Sequence, residues 1–247
     1  MGKGLLDILK SISIILLLSI PPWVVFRGYV KDKMKRTWMV LVFAVYMVLT
    51  YFTQNFIPFV MVMIILFFNK KQQRDVEWEE NEESYYLRPL GKRKIEVLIY
   101  SLVFSVIIRL LSAVYALLLQ QLLKIQPKPQ EVINIFMKKG WGTVTILVLM
   151  TVVFAPVLEE FIFRHILYRN ISKKTGRIWG AILSSLLFTL LHFNLAGTIA
   201  FFAVGVYNCY LYEKHGYRAA VLNHFVFNFS STFFIVLIKA LNLNVGV

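Results

Sequence analysis

The sequence predicts an all-α polytopic transmembrane bundle of about eight spans, and three observations indicate this class. Hydrophobic residues make up 58% of the chain and charged residues only 16%, whereas soluble domains carry about 25% charged residues. The mean hydropathy is +0.67. The basic residues, which give a net charge of +14, cluster in short segments between apolar runs, as they do in cytoplasmic loops. The charge therefore indicates topology and contact with anionic lipid, and we expect no nucleic-acid partner.

Apolar runs follow one another along the whole chain, at approximately 11–26, 38–69, 97–123, 141–163, 178–192, 197–212 and 219–238. As one helix the second run would be roughly 48 Å long, against a hydrocarbon core of about 30 Å. Its middle contains Gln54, Asn55 and Pro58, which favour a tight turn between two short helices. Splitting the run gives eight spans, and seven remain possible if it is not split.

The ends of the runs predict the topology. Pro21 and Pro22 follow the first run, where a signal peptide would have a small-residue cleavage site, so we interpret this run as a retained span and a cleaved signal as the alternative. The segments 27–36 and 164–177 are rich in lysine and arginine and nearly free of acids, so both should be cytoplasmic. With eight spans both termini then lie outside.

The polar segments 70–96 and 124–140 are predicted to be loops, because neither contains an apolar run or a catalytic pattern. We expect one integral membrane domain over residues 1–247, in the cell membrane. The single cysteine, Cys209, excludes a disulfide framework or a thiolate metal site within one chain.

The acidic residues of the apolar runs are concentrated at one point. Charges inside a bilayer are costly, so an ionisable group within a span is a functional hypothesis. Of the thirteen acids, only Glu159 and Glu160 lie inside a long apolar helix. Glu160 and Arg164 are four residues apart and can pair on one helix face, whereas Glu159 points about 100° away and is left to face a cavity. The alternative is that all three residues form one structural ion-pair cluster.

Two histidines also lie in apolar helix, His192 at the end of one run and His224 in another, where Asn228 shares its face. A lone histidine on an apolar face is usually a packing residue. Here two histidines, an amide and a free carboxylate on three spans together supply a general base, a second proton-handling group and donors for an oxyanion. Glu159 and His192 should lie at similar depths, roughly 22 to 26 Å from the turn near 173–176.

Other polar residues have structural interpretations. Arg109 sits in mid-span and should form a structural ion pair, with the glutamates as candidate partners, or else line the cavity. His165 and His215 stand beside basic residues and are predicted to be surface groups. Four serines are interpreted as small helix-packing residues rather than nucleophiles: Ser184, Ser185, Ser230 and Ser231.

The three site segments together resemble a known family. Glu-Glu-x-x-x-Arg at 159–164, Phe-x-x-x-His at 188–192 and His-x-x-x-Asn at 224–228 follow one another on three late spans. This order is similar to that of the CAAX protease and bacteriocin-processing enzyme family, the Abi-type intramembrane glutamate proteases. The resemblance covers about residues 150–235, the expected catalytic core, and includes the flanking Ala155-Pro156 and Gly205.

The resemblance implies a metal-independent endopeptidase without a cofactor, acting on a membrane-associated peptide or protein. It implies that Glu159 and His192 activate a water molecule, and that His224 and Asn228 stabilise the tetrahedral oxyanion. It does not specify whether the substrate is prenylated, because the first 140 residues match no pattern that would select one.

Two other classes of function stay open on the sequence. The first is a catalytically silent membrane regulator or bacteriocin-immunity protein of the same fold. The second is a proton-coupled transporter in which the buried charges form a relay. The chain has no detectable internal repeat and no paired broken helices, which argues against the transporter.

Overall fold

The computed structural model describes residues 2–75, 86–125 and 131–243, and these residues form helices and no strand. In chain order the helices are α1 (Gly2–Val30), α2 (Arg36–Thr53), α3 (Phe56–Asp75), α4 (Lys94–Leu123, preceded by the 3₁₀ turn Gly91–Arg93), α5 (Glu131–Lys138), α6 (Trp141–Thr175), α7 (Arg177–Leu190), α8 (Thr198–His215) and α9 (Tyr217–Ala240).

Five helices of the described chain are long and apolar enough to cross a membrane by length and composition. They are Asp7–Val30, Arg36–Thr53, Gly91–Leu123, Trp141–Thr175 and Tyr217–Ala240. The apolar helices Phe56–Asn69 and Arg177–Leu190 are shorter, and α8 lies between α7 and α9. The predicted class, an all-α polytopic membrane protein, is confirmed, and this set of helices is in line with about eight crossings.

Tight turns join neighbouring helices into hairpins. The predicted turn within 38–69 is present, because α2 ends at Thr53, α3 begins at Phe56, and Gln54 between them has a φ of 52°. Gly176 and Gly216, with φ of 85° and 86°, connect α6 to α7 and α8 to α9. These left-handed conformations favour glycine, which has no Cβ to clash.

Two predicted loops differ from the structure. The segment 124–140 contains α5, and the segment 70–96 is helical up to Asp75 and again from Gly91. The segment 164–177, predicted to be cytoplasmic, is helical up to Thr175, and Arg164 is buried inside the bundle. The helix continues because no proline or glycine lies between Arg164 and Gly176. Residues 76–85 of the predicted loop 70–96, with most of its glutamates, lie outside the described residues.

The last four helices enclose the polar site. Helices α7 and α8 approach closely at Gly205, where a Cβ would lie 2.7 Å from the Cβ of Ser185, as small residues permit in membrane bundles. Helix α4 packs on α8 and α9, and α3 packs on α6 through the rings of Phe59 and Phe154, whose centroids are 4.3 Å apart. The site residues on α6, after α7 and on α9 therefore face the interior of the bundle.

Candidate active site

The helix that carries the two glutamates, α6, departs from regular α geometry on both sides of them. Its segments Met150–Phe154 and Phe161–Tyr168 have the wider turn of a π-helix, and Ala155–Glu160 between them is α-helical. In a π turn each carbonyl accepts from the N–H five residues later, as that of Met150 does from Ala155. Such turns are frequent at functional sites.

Asn228 replaces a backbone donor that the first π segment lacks. The carbonyl of Thr151 would accept from residue 156, which is a proline and has no N–H. Nδ2 of Asn228 donates to this carbonyl at 2.9 Å instead. This bond ties α9 to α6 and fixes the plane of the amide. Because an amide nitrogen carries two N–H groups, the second donor of Asn228 stays available to a ligand.

Glu160 is fully buried and is held by three side chains. Its Oε2 lies 2.9 Å from Nε of Arg164, which is also fully buried, so the pair predicted from helix spacing is present. The angles of this contact are not those of a hydrogen bond, and Arg164 makes no hydrogen bond to another described side chain. Oε1 of Glu160 accepts from Nδ2 of Asn208 at 2.8 Å and from Nδ1 of His224 at 2.7 Å. Glu160 is therefore the compensating charge of a buried arginine.

Two buried asparagines extend this network, and the sequence reasoning missed both. Asn208 on α8 and Asn223 on α9 have no exposed surface, and Nδ2 of Asn223 donates to Oδ1 of Asn208 at 2.7 Å. The chain from Asn223 through Asn208 to Glu160 orients that carboxylate. The sequence does contain a sign of this network, since each of two late apolar runs includes an asparagine. A buried amide needs hydrogen-bond partners, so these two residues could have been predicted to bind polar neighbours.

Glu159 has a different environment from its neighbour. Its side chain is 16% exposed, whereas that of Glu160 is 0% exposed. Its Oε2 lies 3.9 Å from Nε2 of His224, which is too long for a hydrogen bond. No hydrogen bond to Glu159 is found within the described residues. The two adjacent carboxylates thus differ as expected, one neutralised by an arginine and the other accessible.

The two histidines both contact the ring of Phe188. The centroid of Phe188 is 4.7 Å from that of His192 and 5.7 Å from that of His224. His192 follows the end of α7 and stacks on Phe201, with centroids 3.9 Å apart. Among the described residues it makes no ion pair or hydrogen bond with either glutamate. The histidine beside Glu159 is therefore His224.

The hydrogen bonds of the two histidines assign their free nitrogens. Nδ1 of His192 lies 2.8 Å from the carbonyl oxygen of Phe188. A carbonyl only accepts, so Nδ1 donates and Nε2 of the neutral ring is an acceptor. Nδ1 of His224 donates to the Glu160 carboxylate, which turns Nε2 toward Glu159. His192 can therefore accept a proton, whereas His224 is oriented by an acid.

Arg109 lines a cavity, as one of its two interpretations expected, and the predicted ion pair is wrong for the described residues. Its Nη2 donates to the carbonyl oxygen of Phe227 at 2.9 Å and to the hydroxyls of Ser230 and Ser231 at 2.7 and 2.8 Å. The reason is the packing of α4, which contacts α8 and α9 rather than the glutamate segment of α6.

The predicted surface positions of two histidines are also wrong. His165 is 6% exposed, with Nδ1 2.8 Å from the hydroxyl of Tyr212, and His215 is 4% exposed, 3.4 Å from Nη1 of Arg93. His165 lies inside α6 and His215 at the end of α8, and neighbouring elements cover both, so basic neighbours in sequence do not report their burial. Ser184 and Ser185 are fully buried at the contact of α7 and α8, in line with their predicted packing role.

Among the described residues, no three histidine, cysteine, aspartate or glutamate side chains lie close enough together to bind a metal ion. Cys209 is buried, and its Sγ lies 3.5 Å from Oγ of Ser184.

Comparison with known proteins identifies the segment that contains the site. Residues 141–230 match the family described as type II CAAX prenyl endopeptidase Rce1-like. The "Putative membrane peptidase YdiL" of Bacillus subtilis (strain 168) is 28% identical over 71 residues, which is 29% of this chain and 29% of that protein. The match thus spans under a third of the relative's length. No solved structure matches the chain significantly.

Proposed function

We propose that this chain, a multi-pass membrane protein that belongs to the CAAX protease and bacteriocin-processing family through residues 141–230, is an intramembrane glutamate-type endopeptidase. The family match and the related membrane peptidase support a CAAX-type membrane protease. The proposed substrate is a membrane-associated peptide or protein, and prenylated CAAX peptides are one candidate class.

The observation that carries the proposal is the asymmetry of the two adjacent glutamates. Glu160 is fully buried and compensated by Arg164, whereas Glu159 is partly exposed and accepts no hydrogen bond from the described residues. A structural ion-pair cluster would neutralise both carboxylates. An accessible carboxylate beside an oriented histidine in a low-dielectric interior suits general base catalysis instead.

In the proposed reaction Glu159 and His192 activate a water molecule. Glu159, the general base, takes a proton from the water as the water oxygen bonds to the carbonyl carbon of the scissile peptide, and Nε2 of His192 accepts a hydrogen bond that orients the water. His224, which in this scheme carries a proton on both ring nitrogens so that Nε2 is also a donor, and the second N–H of Asn228 donate to the carbonyl oxygen as it becomes an oxyanion. The proton then moves to the amide nitrogen as the C–N bond breaks, which leaves a new carboxylate and a new amine.

The roles of the histidines rest on their hydrogen bonds. Glu159 and His192 are not in direct contact, so in this scheme the water joins them. His224 is set by Glu160, and Asn228 is set by the Thr151 carbonyl, so both donors are held in fixed orientations before a substrate binds. Preorganised donors of this kind are the usual source of oxyanion stabilisation.

The proposal is tested by comparing the peptides released from membranes of cells that produce the chain or its Glu159→Gln variant. New chain ends are identified by mass spectrometry, and purified protein is then given the same peptides in liposomes. The proposal expects products that need Glu159. An identical product set for both chains, with equal membrane levels, would instead favour the silent regulator.

A further inference from the structure

A cavity of about 420 Å³ adjoins the proposed reaction site. Asn228 lines it, and so does Phe201, whose ring stacks on His192. The wall also includes the Thr151 carbonyl region that orients the Asn228 amide. A group that occupies this cavity therefore contacts Asn228, which in the proposed mechanism donates to the oxyanion.

The cavity contains one cation among the described residues, Arg109. Every hydrogen bond that Arg109 makes to the described residues comes from its Nη2, and each acceptor is neutral. The guanidinium also lies over the ring of Phe227, with Cζ 5.0 Å from the centroid. Since a guanidinium has five N–H donors, those on Nε and Nη1 have no partner there.

The rest of the wall is mainly apolar. It includes Phe136 from α5, Ala200 from α8 and Ile235 from α9. A positive charge is costly in such surroundings, marks a functional site by default, and pairs with an opposite charge or with backbone carbonyls. Among the described residues Arg109 bonds only neutral acceptors, so its charge is left uncompensated there and its free N–H groups can receive an acid from outside these residues.

From these contacts we infer that Arg109 is a specificity-determining residue that binds a carboxylate of the peptide substrate, with the apolar wall receiving neighbouring side chains. The inference rests on the proposed function. A carboxylate accepts a charge-assisted hydrogen bond from a free guanidinium N–H, and such a bond is stronger than one to the neutral acceptors of a peptide. The carboxylate is either the C-terminus of the peptide or an acidic side chain near the scissile bond.

The test measures binding apart from cleavage. Fluorescent, membrane-anchored apolar peptides are titrated into liposomes that contain the uncleaving Glu159→Gln protein. Each peptide is made with a free C-terminal carboxylate, with a C-terminal amide, and with the amide plus one internal glutamate. Binding of at least one carboxylate form should be about 10- to 100-fold tighter than that of the simple amide, as expected for a charge-assisted contact.

Substitution of Arg109 identifies the residue responsible. Added to the same background, Arg109→Gln should remove the preference for the carboxylate, while Arg109→Lys should retain part of it. Arg36→Gln, at the exposed start of α2, removes a charge elsewhere and should leave the preference unchanged. The melting temperature of each variant reports folding.

The outcomes separate this inference from the proposed function. Equal binding of the carboxylate and amide forms would overturn the inference, and so would a preference that survives Arg109→Gln in a folded protein. If Arg109 acted on the oxyanion instead, Arg109→Gln in the active chain would lower kcat equally for all peptide forms, which also overturns it. An Arg109-dependent preference without any cleavage by the unsubstituted chain would leave the inference standing and refute the protease.

Discussion

Replacing each of the two adjacent glutamates by glutamine separates a structural carboxylate from a reactive one. Glu160→Gln keeps the shape of the side chain and removes the charge that lies 2.9 Å from Arg164 Nε. Both members of this pair have 0% exposure, and no other described acid lies within ion-pair distance of Arg164. Breaking a buried pair by removing one partner typically costs about 3 to 5 kcal/mol.

The matched variant, Glu159→Gln, should cost less than about 1 kcal/mol, because its side chain is partly exposed and accepts no described hydrogen bond. It should abolish cleavage while the protein inserts and folds. Unfolding free energies of both variants are measured by denaturant titration in mixed micelles. Equal losses of stability in the two variants would refute the assignment of different roles.

A double variant tests the cause of the instability. If the stranded charge of Arg164 is responsible, Arg164→Met should recover part of the loss caused by Glu160→Gln, because an apolar group of similar size needs no compensation. Recovery should be incomplete, since Glu160 also accepts from His224 and Asn208. A double variant as unstable as the sum of the single ones would show that the pair is not the cause.

Three further predictions concern the reaction and the packing. Asn228→Ala should lower turnover by about 10² to 10³ with residual activity, and His192→Ala should lower it further; the reverse order in a turnover assay would reverse their roles. Cleavage should survive exhaustive chelation, and activity lost to a chelator and restored by zinc would overturn the metal-independent scheme. Gly205→Ala should destabilise the protein by about 1 to 3 kcal/mol through overpacking against Ser185, whereas Gly142→Ala, with nothing within 4 Å of its Cβ, should not.

The sequence predicted the class of fold and the pairing within the glutamate segment, because both follow from local rules. Apolar runs of sufficient length indicate spans whatever their tertiary neighbours are. The contact between Glu160 and Arg164 depends only on helix spacing, which places residues four apart on one face. The turn after Thr53 was likewise marked by local amides and a proline.

Contacts between helices were less accessible to sequence reasoning. That Asn208 bridges Asn223 and Glu160 depends on how three helices are rotated about their axes. Helix depth predicted that Glu159 and His192 lie at similar depths, but it did not predict that His224 lies 3.9 Å from Glu159, which follows from the packing of α9 on the glutamate segment. The rise per residue of a helix predicts how deep a residue lies in the membrane. It does not predict how the helix is rotated about its axis, and therefore which neighbour the residue faces.

Backbone irregularity also escaped prediction. Pro156 was recognised as part of the family pattern, but the sequence does not show which backbone carbonyl loses a donor to it. In the π turn before Pro156 that carbonyl belongs to Thr151. Only then does Asn228 become the replacement donor. The prediction that His165 is a surface residue was wrong for a similar reason. Helix α6 extends up to Thr175, so His165 lies inside the bundle.

The role of Glu159 is tested most directly by the turnover of one membrane-tethered peptide by purified protein in liposomes, with and without chelator. We expect the unsubstituted chain to cleave equally well in both conditions, and Glu159→Gln to lose about 10² to 10⁴ in turnover while retaining its stability. Cleavage by Glu159→Gln at the rate of the unsubstituted chain would contradict the account.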